Sequence, residues 1–90
     1  MAWRIEFAES AQRQLAKLGR EAQTRIRNYL RERIVSCENP RDYGAPLKSN
    51  LAGLWKFRIG DYRLVAEIRD EEILVLVVRV GHRKNVYRGH

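Results

Sequence analysis

Residues 54–69 constrain the fold more than any other stretch of the chain. Trp55, Phe57 and Ile59 alternate with Lys56 and Arg58; Gly60-Asp61 interrupts, and Tyr62 opens a second apolar-rich run to Arg69. Period-two alternation on both sides of a two-residue glycine turn specifies a β-hairpin, because glycine supplies the positive φ that matches the twist of the flanking strands. So short a loop also sets the register. Ile59 faces Tyr62, Arg58 faces Arg63, Phe57 faces Leu64 and Lys56 faces Val65. Successive side chains of a strand point to opposite faces. Trp55, Phe57, Tyr62 and Leu64 therefore share a core-directed face, and Lys56, Arg58 and Arg63 share the other.

The remaining elements arrange themselves around this hairpin. Asp70-Glu71-Glu72 turns the chain again, and Ile73 to Val78 is a continuous apolar run, the pattern of a strand covered on both faces. Gly81 ends it, and His82 to His90 is a short basic tail. At the other end, Trp3, Ile5 and Phe7 alternate with Arg4 and Glu6, which reads as a half-buried strand. The period then lengthens. Ala8, Ala11, Leu15 and Leu18 recur at three- and four-residue steps, Gly19 punctuates as a helix-ending glycine, and a second helix runs from about Arg20 to Cys37. Its apolar stripe is Ala22, Ile26, Tyr29, Leu30, Ile34 and Cys37. The stretch Asn39–Gly53 holds both prolines and little periodicity, so it reads as a loop. The expectation is an α+β fold: an N-terminal strand, an αα-hairpin, then a three-stranded antiparallel meander with a short C-terminal tail, the helices packed on one sheet face. The pattern leaves the place of the first strand open. At 90 residues the chain is expected to be one domain, 1–90.

Composition removes several functions. The lone Cys37 cannot form an internal disulfide, which excludes a disulfide-stapled scaffold. With one Cys and two His, no ligand spacing supports a metal site, and no glycine-rich phosphate loop is present, so no metal and no cofactor are expected. Met1 to Phe7 lacks the apolar core of a signal peptide, and no apolar run reaches membrane-spanning length. A cytoplasmic protein without a membrane partner is the expectation. The net charge of +7 points to polyanions, nucleic acid first among them.

Lys56, Arg58 and Arg63 give that charge a location. Like charges directly opposite on a sheet repel, so the array is unfavourable empty and favourable with phosphate bound. Arginine presents a planar fork of donors that matches phosphate oxygens. The plain alternative is a solvated face whose side chains bend apart into water. Beyond Gly81, a helical turn would put Arg83 and Tyr87 on one side, four residues apart. Tyr87 would then either stack on an unpaired base or anchor the C-terminus. Lys48, His82, Lys84 and Arg88 are candidates for further RNA contact. Glu71 and Glu72 belong to a turn, Glu67 sits in mid-strand, and Cys37 lies on a helix's apolar stripe, so none is a strong acid–base or nucleophile candidate.

The run L-W-K-F-R-I-G-D-Y-R-L-V, an apolar strand, and then V-G-H-R-K-N-V-Y-R together resemble the RelE toxins of the RelE/ParE superfamily. The strand–helix–helix–three-strand order matches the fold of that family, so the likeness covers nearly the whole chain. The resemblance implies the toxin of a type II toxin–antitoxin pair: a ribosome-dependent endoribonuclease, or mRNA interferase, that cuts mRNA in the ribosomal A site with the RNA's own 2′-hydroxyl as nucleophile, and needs no metal. It implies a catalytic set at Lys56, Arg58, Arg63, Arg83 and Tyr87, with Lys56 as base, Arg83 as leaving-group acid, Arg58 and Arg63 as phosphate stabilisers, and Tyr87 orienting the substrate base. Arginine does not give up its proton in proteins, so Arg58 can hold phosphate but not act as base. The base is then Lys56, or His82 if the tail folds inward. The implied partners are the ribosome with its mRNA and a RelB-like antitoxin, acidic where it binds the toxin; operator DNA would be met only through the antitoxin complex. Two other readings stand beside this one: a ParE-like toxin that inhibits DNA gyrase, and a non-catalytic RNA- or ribosome-binding module.

Overall fold

The computed structural model describes residues 2–82. It contains strand β1 (Arg4–Phe7), helices α1 (Glu9–Lys17) and α2 (Arg20–Tyr29), and strands β2 (Gly44–Pro46), β3 (Leu54–Ile59), β4 (Tyr62–Arg69) and β5 (Leu74–His82). The five strands form one sheet in the order β1-β5-β4-β3-β2. β3, β4 and β5 are the expected antiparallel meander. β1 pairs in parallel with β5, so the chain's first strand lies beside its last.

Both helices cover one sheet face. α1 buries Ala11 and Leu15, and α2 buries Ala22 and Ile26, at the three- and four-residue spacing that keeps side chains on one side of a helix. Leu15, Ile26, Leu30 and Ile34 pack against Phe57, Leu64, Ala66, Val75, Val77 and Val80 of the sheet. Gly19 joins the helices at a φ of +91°, a conformation that L side chains disfavour. α2 does not run on as a regular α-helix to Cys37. It passes into a π-turn at Leu30–Ile34, where Val35 N–H donates to Leu30 O at 3.0 Å. Val35 O then accepts Trp3 N–H at 2.8 Å, which ties the end of the helical region to the start of β1.

Three further expectations are corrected. Asn39–Gly53 is not simply a loop: it holds 3₁₀ turns at Pro40–Tyr43 and Ser49–Leu51, and between them β2, which pairs antiparallel with β3. A three-residue Gly-Ala-Pro strand carries no alternation of its own; pairing with β3 creates it. Ile73 belongs to the turn before β5, with a φ of +50°, and β5 runs through Gly81 to His82. The β5 run is covered unevenly: Val75, Val77 and Val80 are buried beneath the helices, and on the other face Leu74 is buried but Leu76 only half-buried, as is Val78 at the bulge.

Candidate anion-binding groove on the open sheet face

The β3–β4 register is the one the turn demands. Ile59 pairs with Tyr62, Arg58 with Arg63, Phe57 with Leu64 and Lys56 with Val65. Gly60 takes a φ of +60°, and Asp61 is not left-handed, as in a type II′ turn. Phe57 and Leu64 are buried against the helices, while Trp55 and Tyr62 are half-buried at the margins of that face. Lys56, Arg58 and Arg63 consequently emerge together on the face the helices leave open. With Tyr43, Gly44 and Ala45 they line a groove of about 330 Å³, and no carboxylate contributes to its wall.

The three cations are held differently. Arg63 is half-buried, and its Nη1 donates to Gly60 O and to Tyr62 O, each at 3.0 Å. These bonds hold the guanidinium at the hairpin turn and leave its Nε and Nη2 hydrogens for another acceptor. Lys56 and Arg58 are exposed, and among the described residues neither makes an ion pair or a side-chain hydrogen bond. The acids of the open face stand further along the strands. Glu67 pairs with Arg69, Arg69 also reaches Glu72 at 3.8 Å, and Arg4 lies 3.9 Å from Glu6. The turn end of the open face is thus cationic, and its far end is mixed and self-neutralised.

Sequence reasoning missed two residues of this region. Arg79 pairs with Val65, which itself pairs with Lys56, so all three lie in one row of the open face. A β-bulge puts it there: the register slips between Val65 and Ala66, so that Val65 meets Arg79 while Ala66 meets Val77. Without the extra residue, strict alternation from Val75 and Val77 would turn Arg79 toward the core and Val80 away from it. The signal was in the sequence as a change of phase, with Val77 and Val80 three residues apart. Tyr43 is the second. It carried no periodic signal because it ends a 3₁₀ turn, but it forms part of the groove wall.

The other site residues named above are placed less uniformly. Lys48 is exposed between β2 and the second 3₁₀ turn and does not line the groove. His82 pairs with Tyr62, and their rings meet edge to face at 6.1 Å. Paired residues share a face, so His82 stands on the side opposite Lys56, which removes the geometric case for it as the base. Arg83, Lys84, Tyr87 and Arg88 lie outside the described residues. Among the described residues no three of His, Cys, Asp and Glu come together. Burial pushes the Cys37 thiol up from its ordinary value, in keeping with a half-buried side chain packed on the core.

The backbone beside the groove is held firmly. Asn39 Oδ1 accepts Arg41 N–H at 3.1 Å, and Pro40 is buried. Arg41 grips Asp70 through two bonds of 3.0 and 2.7 Å and lies over the Trp55 ring, 5.7 Å from its centroid. The Arg41 guanidinium holds the Asp70 carboxyl below its ordinary value. Gly44 is required by close approach: a Cβ there would sit 2.8 Å from Lys56 O and 3.0 Å from Phe57 Cε2.

A helical hairpin on one face of a small mixed sheet, with an acid-free cationic groove on the other, defines the architecture as a small α+β domain with a basic groove. Comparison with known proteins supplies the family. Residues 5–87 match the family profile described as the ParE toxin of type II toxin-antitoxin systems, parDE. The toxin RelG of Mycobacterium tuberculosis is 33% identical over 98% of this chain and 99% of its own length. The mRNA interferase toxin RelE of Escherichia coli is 31% identical over 93% of this chain and 86% of its own. Among solved structures, the toxin–antitoxin complex RelBE2 from Mycobacterium tuberculosis superposes with a TM-score of 0.84 at 30% identity, covering 94% of this chain and 95% of that one. The chain belongs to the RelE/ParE superfamily of type II toxins, and its full-length relatives place it on the RelE side.

Proposed function

We propose that this toxin is a ribosome-dependent mRNA interferase. The observation that carries the reading is the groove: Lys56, Arg58 and Arg63 converge on one acid-free concavity, the arrangement a phosphodiester requires. The relative named an mRNA interferase, at 31% identity over most of both chains, supports it.

In this reading the 2′-hydroxyl of the RNA attacks the adjacent phosphorus. Lys56 accepts the hydroxyl proton as the new P–O bond forms. Arg58 and the free hydrogens of Arg63 bond to the non-bridging oxygens, where negative charge builds in the five-coordinate transition state. The bond to the 5′-oxygen breaks; Arg83 hydrogen-bonds to that oxygen and stabilises its negative charge while solvent supplies the proton, leaving a 2′,3′-cyclic phosphate and a 5′-hydroxyl. Tyr87 orients the base, and Lys84 and Arg88 extend the contact with RNA. Arg63 is set before substrate arrives by its bonds to Gly60 O and Tyr62 O, so little reorganisation is needed as charge develops. The ribosome supplies the rest by presenting the mRNA in a cleavable geometry at the A site. The physiological inhibitor is a RelB-type antitoxin whose toxin-binding part is acidic, matching the +7 charge of this chain. The structural relative is solved with its own antitoxin.

The test is cell-free translation with primer extension on the mRNA. Wild-type protein is expected to cut at A-site codons, and Lys56→Gln to cut roughly 10²–10⁴-fold more slowly, the range of a lost general base. Because the matching family profile is described by ParE, a gyrase supercoiling assay runs in parallel. Intact mRNA together with blocked supercoiling would reverse the assignment.

A further inference from the structure

We infer that Tyr43 is a stacking platform of the same groove and holds the nucleobase next to the phosphate bound by the cations. The inference rests on the RNA reading above and adds a residue to it.

Register gives the position. Ala45 pairs with Lys56 and Gly44 with Phe57. Tyr43 immediately precedes this pairing, as the last residue of the 3₁₀ turn. It lines the groove with the three cations. It is also the one large apolar side chain left exposed among the described residues, at 42%. Other aromatic rings nearby are engaged. Arg41 lies over Trp55, and Tyr62 meets His82. Among the described residues no ring or guanidinium stacks on Tyr43.

An exposed tyrosine on a turn is ordinary by itself. An exposed ring sharing an acid-free concavity with three cations is the pairing that single-stranded nucleic acid requires: charge for the backbone and a π-face for a base. The backbone of this platform is already ordered. Asn39 caps the turn, Arg41 is clamped to Asp70, and Gly44 is packed against Phe57, so stacking does not first have to order the loop. Stacking tolerates any base, which makes Tyr43 a positioning residue.

The experiment is fluorescence anisotropy of the full chain with two labelled oligoribonucleotides of equal length, one normal and one abasic at every internal position. Tyr43→Ala should bind the normal strand about 5- to 150-fold more weakly, leave abasic binding unchanged, and keep the salt slope of wild type. Tyr43→Phe should bind both like wild type. Arg58→Gln should weaken both and lower the salt slope by about 0.7. Equal weakening of both strands by Tyr43→Ala, no weakening of either, or Tyr43→Phe behaving like the alanine variant would overturn the inference. If instead Arg58→Gln leaves both affinities and the slope unchanged, or wild type binds neither strand, the cationic groove itself is misread, and the stacking assignment falls with it.

Discussion

Arg58 and Arg63 face each other across the hairpin, yet their removal should shift stability in opposite directions. Arg58 is exposed and, among the described residues, makes no hydrogen bond or ion pair. Arg58→Gln therefore removes a facing like charge and nothing that holds the fold. Relief of such a pair is worth roughly 0.2–1 kcal/mol. For a domain of this size, that raises the melting temperature by roughly 1–8 °C. Arg63→Gln gives the same relief but loses two bonds to the turn carbonyls, each 3.0 Å long, one of them part-buried. Each such bond contributes about 0.5–1.5 kcal/mol. The balance runs from near zero to a net loss of about 3 kcal/mol, a drop of up to roughly 20 °C. Thermal melts of both variants and of the double variant give a full mutant cycle, and the coupling should be about 0.2–1 kcal/mol and repulsive. Added salt should shrink the gain from Arg58→Gln, because exposed charges are screened. Both variants should still lose mRNA cleavage on ribosomes. The reasoning fails if Arg58→Gln melts below wild type, or if Arg63→Gln melts above it.

Two further outcomes follow from the edge of the groove. Gly44→Ala should destabilise the chain by about 1–3 kcal/mol, the usual cost of overpacking, because its Cβ would come within 2.8 Å of Lys56 O; a melt unchanged from wild type would show that β2 yields at no cost. For Asp70→Asn the effect depends on pH. Hydrogen bonding to Arg41 lowers the Asp70 carboxyl below its ordinary 3.8; the pair therefore stabilises fully above that value and less as pH falls through the depressed one. Wild type should melt above Asp70→Asn at pH 7, with the gap closing as pH falls through the depressed value; a gap that widens in acid would contradict this.

The hairpin was legible because its information is local. Gly60 with its neighbour Asp61 sets a turn, the turn sets register, and register places Lys56, Arg58 and Arg63 together before anything is known of the rest. The helices were legible for the same reason: Ala11, Leu15, Ala22 and Ile26 repeat at helical spacing and are buried where that spacing puts them. The His82 alternative went astray because its side of the sheet depends on pairing with Tyr62, twenty residues away.

What the sequence by itself determined is the first strand, the two helices, the three-stranded meander and the face on which the three cations emerge, since all depend on periods of two to four residues. What tertiary structure decided needs a distant partner. β1 had no stated neighbour until β5 lay alongside it. Gly44–Pro46 is a strand only because β3 supplies its ladder. Arg79 reaches the open face only through a bulge against Val65, and Tyr43 reaches the groove only because the turn before β2 is held by Asp70, a residue of the β4–β5 turn. A short strand, a bulge and a clamped turn each draw their stability from groups far away in the chain, and no local pattern encodes that pairing.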